Sequence, residues 1–312
     1  MKLEKIFITG ASGCIGHYIL DQFIHDPNYE LHLLIRDPSR LKIQYQEFPN
    51  ITIHIGEIEH IETQSQVLAE MDYVIHIATA WGDSDEACVV NQIKTLELFN
   101  ACHPDHCKKI IYFSTASILG KNNTPIPQAG TLGTGYVRSK YKAYHTIKEA
   151  KLYDRIVTVF PTLVFGGDKN HPYSHISSGI TPQNAKFLKI LRFLYMDARF
   201  HFLHAYDIAQ VVKYLLTHPT DQKDYVLGNP VMTGKETLTT LCQHFNIPIY
   251  FRIPISGHIL KFLAGLFRIK VGSWDRFCIE NPYFEYNVVN PKTFGLDSKY
   301  SSLTSVLPDI KN

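Results

Sequence analysis

Six short, nearly unbroken apolar runs recur along the first half of the chain: KIFITG (5–10), LHLLIR (31–36), ITIHIG (51–56), YVIHIA (73–78), KIIYFS (109–114) and IVTVFP (156–161). Apolar character that is continuous, not alternating, predicts strands buried on both faces, as in parallel sheets. Between the runs lie stretches of helical period. In IGHYILDQFIH (15–25), Ile15, Ile19, Leu20 and Phe23 share a face. In DEACVVNQIKTLELFNACH (85–103), the cycling positions are Val89, Ile93, Leu96 and Phe99 or Asn100. Strand and helix in alternation predict an α/β fold, a doubly wound parallel sheet of Rossmann type with right-handed crossovers.

The pattern changes after residue 165. GGDKNHPYSHISSGITPQ (166–183) is rich in Gly, His, Pro and Ser, which predicts a loop able to carry function. FHFLHAYDIAQVVKYLL (200–216) predicts a short strand feeding a helix, and YVLGN (225–229) a further strand. The remainder is cut into short pieces by Pro248, Pro254, Pro282, Pro291 and Pro308. The division expected is a dinucleotide-binding domain over 1–165, with 200–229 returning to it. Residues 166–199 and 230–312 then form a smaller C-terminal substrate lobe.

At 312 residues, 45% hydrophobic and 19% charged, the chain can bury a sizeable core. A formal charge of +2 gives no overall basic field, so a nucleic-acid partner is not expected. Cys102, His103, His106 and Cys107 have the form C-H-x-x-H-C. No second ligand pair stands at a distance, so no metal site is read from them. The start MKLEKIFITG runs straight into a strand, and the longest apolar segment, ILKFLAGLF (259–267), is far too short to span a bilayer. A cytoplasmic setting with no membrane span follows. The helix around ILKFLAGLF, 256–269, has an apolar face suited to core packing, to a lid over the substrate or to contact with a membrane surface.

FITGASGCIGHYIL sets Gly10, Gly13 and Gly16 directly after the first strand and at the opening of a helix. Glycines there permit a tight turn and close approach of backbone to a pyrophosphate, which the helix N-terminus can hold. The spacing T-G-x-x-G-x-x-G resembles the short-chain dehydrogenase/reductase family, and the chain length its extended, epimerase/dehydratase-like branch. The likeness covers most of the chain and is strongest over residues 5–165. The turn then implies Gly10, Ser12, Gly13, Cys14, Ile15 and Gly16 as cofactor-binding. GEI (56–58) resembles the family's element beside adenine and implies Glu57 and Ile58. HIATA (76–80) resembles its H-x-A-A segment and implies Ile77, Ala78 and Thr79. VFPTLVFGGD (159–168) resembles the segment after the sixth strand and implies Pro161 and Leu163, although Phe160 and Gly167 depart from the family pattern. VVNQIKT (89–95) resembles V-N-x-x-G-T and carries over Asn91 to the catalytic set.

The second strand ends LLIRDPSR. Arg36 and Arg40 there make a clamp suited to a 2′-phosphate, which selects NADP. With Asp37 as ribose ligand and the arginines as solvated charges, NAD is selected instead.

FSTASILG (113–120) resembles S-[ST]-x-x-V-Y-G and makes Thr115 the catalytic hydroxyl, with Ser114 the runner-up. The stretch YVRSKYKAYHTIK (136–148) holds two Tyr/Lys pairs at i, i+4. The family form Y-x-x-S-K matches YVRSK, and Tyr144 lies about 12 Å further along the helix axis. Tyr136 and Lys140 are therefore assigned to catalysis and to cofactor contact, with the Lys ammonium expected to lower the phenol's pKa. Tyr144 and Lys148 are expected to serve packing and surface. Trp81, Thr115, Phe165 and Tyr173, with His171, Phe200 and Phe202 nearby, suggest a partly apolar pocket for a small molecule.

The resemblance implies an NAD(P)-dependent oxidoreductase, an NADPH-dependent reductase or dehydrogenase of a carbonyl/alcohol pair. A nucleotide-sugar epimerase with bound NAD and a non-catalytic NADP-binding sensor are the alternatives. Ala116-Ser117 after the Thr speaks against a dehydratase, and a homodimer is compatible with the resemblance.

Overall fold

The structure, a computed structural model, describes residues 3–81, 88–181, 185–220, 222–257, 259 and 270–307. Residues 258 and 260–269 of the apolar helix proposed over 256–269, and residues 85–87 of the helix proposed over 85–103, lie outside the described residues. Each of the six apolar runs forms a strand: β1 (Glu4–Thr9), β2 (Tyr29–Ile35), β3 (Ile51–Ile55), β4 (Tyr73–His76), β5 (Lys109–Phe113) and β6 (Ile156–Pro161). All their pairings are parallel, in the order β6-β5-β4-β1-β2-β3. Beyond β6 the sheet continues with Asp224–Leu227, which pairs β6, and then Val288–Val289. This is a doubly wound Rossmann sheet of eight strands. The outermost strand comes from the stretch 230–312, read from the sequence as substrate lobe.

Buried side chains fill both faces of the sheet. On one, α1 (Cys14–Phe23) packs against the helix Ala205–Thr217, burying Ile19, Leu20 and Phe23 with Ile208, Val212 and Leu215. On the other, Leu98, Phe99, Tyr112, Ala143 and Ile147 meet. Among the described residues no helix is long and apolar enough to cross a membrane.

One helix departs from its expected register. Val89–Lys94 is a π turn that continues as the α-helix Thr95–Ala101. Val89 and Ile93, expected on the buried face, are exposed; Val90, Asn91, Thr95, Leu98 and Phe99 are buried instead. The wider π turn rotates the face that meets the sheet. Asn91 and Thr95 tolerate burial because each is hydrogen-bonded, Asn91 to Thr79, Ala80 and Ser139, Thr95 to His76.

The helix Gly135–Thr146 begins with the Thr134 hydroxyl accepting from the Val137 amide. Two turns beyond Tyr136, the Tyr144 hydroxyl donates to Asp224 at 2.6 Å, tying the helix to the strand beside β6. Replacing Tyr144 by Phe removes one hydrogen bond to a solvent-exposed carboxylate. It is expected to lower unfolding stability by about 1 kcal/mol in chemical denaturation and to leave nucleotide affinity unchanged.

Candidate active site

A cleft of about 940 Å³ runs along the carboxyl ends of the central strands. At one end lies the glycine turn. Gly10 has φ +76°, and a Cβ there would sit 2.7 Å from the Ala78 nitrogen. A Cβ on Gly16 would sit 2.3 Å from the Gly10 carbonyl oxygen, so the turn and α1 can close up only with glycine at both positions. Gly13 is the N-cap of α1, with no side-chain cap and no acidic residue in the first turn. The first amides of a ten-residue helix therefore face the cleft with the positive end of its dipole.

Gly10, Ser12, Gly13, Cys14, Ile15 and Gly16 line this cleft, as do Arg36, Arg40, Ile58, Ile77, Ala78, Thr79, Pro161 and Leu163. Thr115, Tyr136, Lys140, Trp81 and Tyr173 line it too. Three residues assigned from sequence do not. Glu57 stands exposed as cap of the 3-10 turn Ile58–Gln64, and Glu59 lines the cleft in its place, because the chain turns immediately after Glu57. Phe165 is buried and meets Phe202 edge-on, its ring centroid 5.7 Å away, in a small core with Leu303 and Val306. Asn91 is buried behind the wall. Its side chain binds Thr79 Oγ1, the Ala80 backbone and Ser139 Oγ, and Ser139 in turn donates to the Tyr136 carbonyl at 2.8 Å. Asn91 thus holds the loop after β4 to the helix of Tyr136.

At the β2 end, Arg36 and Arg40 are exposed and form no ion pair among the described residues. The Asp37 carboxylate accepts from the Ser39 amide at 3.0 Å and its hydroxyl at 2.7 Å, capping the turn Pro38–Arg40. These hydrogen bonds hold Asp37 below the ordinary carboxylate range. The bare amides, the two guanidinium groups and the length of the cleft fit an extended, anionic dinucleotide.

The other end holds Thr115, Tyr136 and Lys140. Thr115, the second residue beyond β5, accepts from the Ser117 amide, donates to Ser117 Oγ at 3.2 Å and lies near enough to Tyr136 to act on its phenol. Ser114 beside it is buried, lines the cleft, and its hydroxyl has no partner among the described residues. Lys140, one turn along the helix from Tyr136, is fully buried and donates from Nζ to the Phe113 carbonyl at 2.8 Å. Burial lowers its pKa to about 7. Burial raises Tyr136 to about 12, against the opposing hydrogen bond from Thr115. The expected lowering of the phenol by a neighbouring ammonium is not found. The physical reason is that the cation itself is desolvated and only half charged near neutrality.

Sequence reasoning missed how the far wall is assembled. His171 stacks on Tyr18 of α1, centroids 3.9 Å apart, and bridges Asp168 Oδ1 at 2.7 Å and Asp21 Oδ2 at 2.6 Å. Burial works against the charged ring, but the two carboxylates outweigh it and raise its pKa. This pins the glycine-rich loop to α1 and sets Tyr173, Ser174, His175 and Ile176 along the cleft. Trp81 stacks on Tyr136 at 4.1 Å and tilts against His175 at 5.2 Å. The loop's GGDKNHP composition signalled function, but its anchor points lie about 150 residues away in α1.

A family model of the NAD dependent epimerase/dehydratase family matches residues 6–228. The chain belongs to this family. One relative, the 2-alkyl-3-oxoalkanoate reductase of Shewanella oneidensis, is 23% identical over 289 residues, 85% of this chain and 71% of that protein. The Bordetella bronchiseptica enzyme WbmG, solved in complex with NAD and UDP, superposes with a TM-score of 0.66 at 16% identity, covering 98% of this chain and 93% of its own. The dTDP-glucose 4,6-dehydratase of Bacillus anthracis, solved in complex with NAD, gives 0.63 at 17% identity, covering 99% and 96%. At these identities the solved members of the family share the fold with this chain.

Lys140 gives the site a pH signature. Its folded pKa, near 7, lies below the free value near 10.5, so between those limits the unfolded chain binds more protons. Stability contributed through this residue therefore rises with pH across that window, by at most about 1.4 kcal/mol per unit. A Lys140→Met variant is expected to gain on the wild type towards pH 7 and to lose that advantage towards pH 10, read as the difference between denaturation curves. A pH-independent difference would contradict the buried amine.

Proposed function

We propose that the protein is an NAD(P)-dependent oxidoreductase, with NADPH preferred, that reduces a small, partly apolar carbonyl compound to the alcohol or runs the reverse. The observation that carries this reading is the meeting of Thr115, Tyr136 and Lys140 at one end of a cleft whose other end is a bare glycine turn. A bound nicotinamide cofactor supplies hydride to the carbonyl carbon. The chain's residues manage the oxygen. Thr115 Oγ1 and the Tyr136 hydroxyl, both lining the cleft, can each turn its single O–H to a carbonyl oxygen, orienting it and stabilising its growing charge. Tyr136 gives up its proton as that charge forms. A phenol held near 12 stays protonated at neutral pH, which suits a donor. Lys140, anchored on Phe113, keeps a second proton one turn behind it.

Substrate class is argued from the rim, where Trp81, Leu163, Val164, Tyr173 and Ile176 offer apolar surface. That rim is better matched to an alkyl carbonyl than to a sugar, and the name of the Shewanella relative, a reductase of alkylated oxoalkanoates, is in keeping with it. The preference for NADPH rests on Arg36 and Arg40 forming no ion pair among the described residues while the Asp37 carboxylate is engaged with Ser39.

Tyr136→Phe is expected to cut turnover by at least about a thousandfold while nucleotide affinity stays within a few-fold, and Tyr144→Phe to leave turnover near wild type. Consumption of NADPH against a panel of alkyl ketones and β-keto acids provides the assay. Equal losses in two well-folded variants would sink the assignment of Tyr136. In thermal-shift measurements NADPH is expected to stabilise more than NADH, with the preference lost in Arg36→Ala/Arg40→Ala. Stronger stabilisation by NADH together with a shift on adding UDP would turn the reading towards an epimerase.

A further inference from the structure

Away from the cleft, two stretches of the smaller lobe lie side by side. The helix Ala185–Leu191 leads into Leu194–Tyr195, which pairs in parallel with Ile253–Pro254. The Arg192 guanidinium lies over the rings of Phe193 and Tyr250 at 4.5 and 5.6 Å and donates to the Pro248 carbonyl at 2.9 Å. Phe193 stacks on Phe251 with centroids 4.7 Å apart. Phe187, Ile190, Leu191, Tyr250, Phe251 and Ile253 are each 49% to 75% exposed. So dense a set of wet apolar side chains marks a surface that something covers.

Charge selects the occupant. Residues 185–195 carry Lys186, Lys189 and Arg192, and residues 247–256 carry Arg252; neither stretch holds an acidic residue. Lys186 and Lys189 are exposed, while Arg192 and Arg252 are half-buried, the first donating to the Pro248 carbonyl and the second to Thr239. Protein interfaces are depleted of lysine at their apolar centres, but here the lysines alternate with Phe187 and Ile190. Apolar and aromatic side chains interleaved with long cationic ones match the boundary of an anionic bilayer. There rings and aliphatic chains sit among the acyl tails while ammonium and guanidinium groups reach the phosphates.

We propose that the face formed by the helix Ala185–Leu191 and residues 248–254 docks the protein reversibly on an anionic lipid surface, without spanning it. The full-length protein is floated with vesicles of phosphatidylcholine alone, or of phosphatidylcholine and phosphatidylglycerol in about equal parts. Wild type is expected to float with the anionic vesicles only, and to be released at about 0.5 M salt, where charges are screened. Lys186→Glu/Lys189→Glu is expected to weaken binding roughly twentyfold or more, at about fivefold for each lysine charge lost. Phe187→Ser/Ile190→Ser is expected to weaken it as well, with thermal melts confirming that both variants fold. Absence of wild-type binding to anionic vesicles would overturn the proposal, and so would equal binding by wild type and both variants. If Phe187→Ser/Ile190→Ser instead splits a dimer in light scattering while wild type ignores vesicles, the face belongs to a second copy of the chain and the proposal fails.

Discussion

The hydrogen bond from the Lys140 amine to the Phe113 carbonyl is the constraint on which the site depends. Phe113 is the last residue of β5, so the bond fixes the helix Gly135–Thr146 at the level where the sheet opens. Thr115 lies two residues beyond the acceptor and Tyr136 one turn before the donor, and so the same contact brings both to one end of the cleft. Burying an amine with a single carbonyl partner is costly, and a protein that bears that cost gains a fixed register between helix and sheet. Asn91 fixes the helix from the other side, through Ser139 and the Tyr136 carbonyl. The phenol is thus held by backbone and buried side chains with little freedom to move.

That rigidity has an electrostatic consequence. The dryness that fixes Lys140 also drains its charge, and the dryness around Tyr136 keeps the phenol protonated. Both shifts have one cause, desolvation, and they push the pair towards a neutral amine beside a neutral phenol. In the proposed mechanism such a pair releases a proton when negative charge develops at a bound oxygen, because the growing oxyanion is then the strongest acceptor in a low-dielectric pocket. A permanent ammonium beside a permanent phenolate would instead need its charges stabilised before anything bound.

Much of this was legible in the chain. The six apolar runs name the six strands in order, and the T-G-x-x-G-x-x-G spacing locates the turn, because both signals are local. A buried parallel strand needs continuous apolar residues, and a tight turn needs glycine where φ is positive. What the sequence hid depends on contacts between distant residues. The π turn at Val89–Lys94 rotated a face that helical periodicity had assigned to Val89 and Ile93, and no spacing rule announces such a turn. Phe165 looked like pocket but found a closer apolar partner in Phe202. The His171 bridge joins residues some 150 positions apart, and its two carboxylates, Asp21 and Asp168, carry no shared motif. The direction of the Tyr136 shift was misjudged for a related reason: the pairing was visible in the sequence, the burial of both partners was not.

The two Tyr/Lys pairs of YVRSKYKAYHTIK make the same point about what spacing can decide. Both have the i, i+4 geometry, and in both the lysine lies near an aromatic ring. Lys140 is buried over Tyr112 and reaches the end of β5, whereas Lys148 lies over Tyr144 at 5.0 Å and Tyr144 spends its hydroxyl on Asp224. On the mechanism proposed above, identical local geometry yields a reactive pair only where the helix passes the open edge of the sheet, since only there can a buried donor and a substrate approach the same hydroxyl. Helical periodicity sets which residues are neighbours. The strand end they face decides whether those neighbours do chemistry or hold the fold.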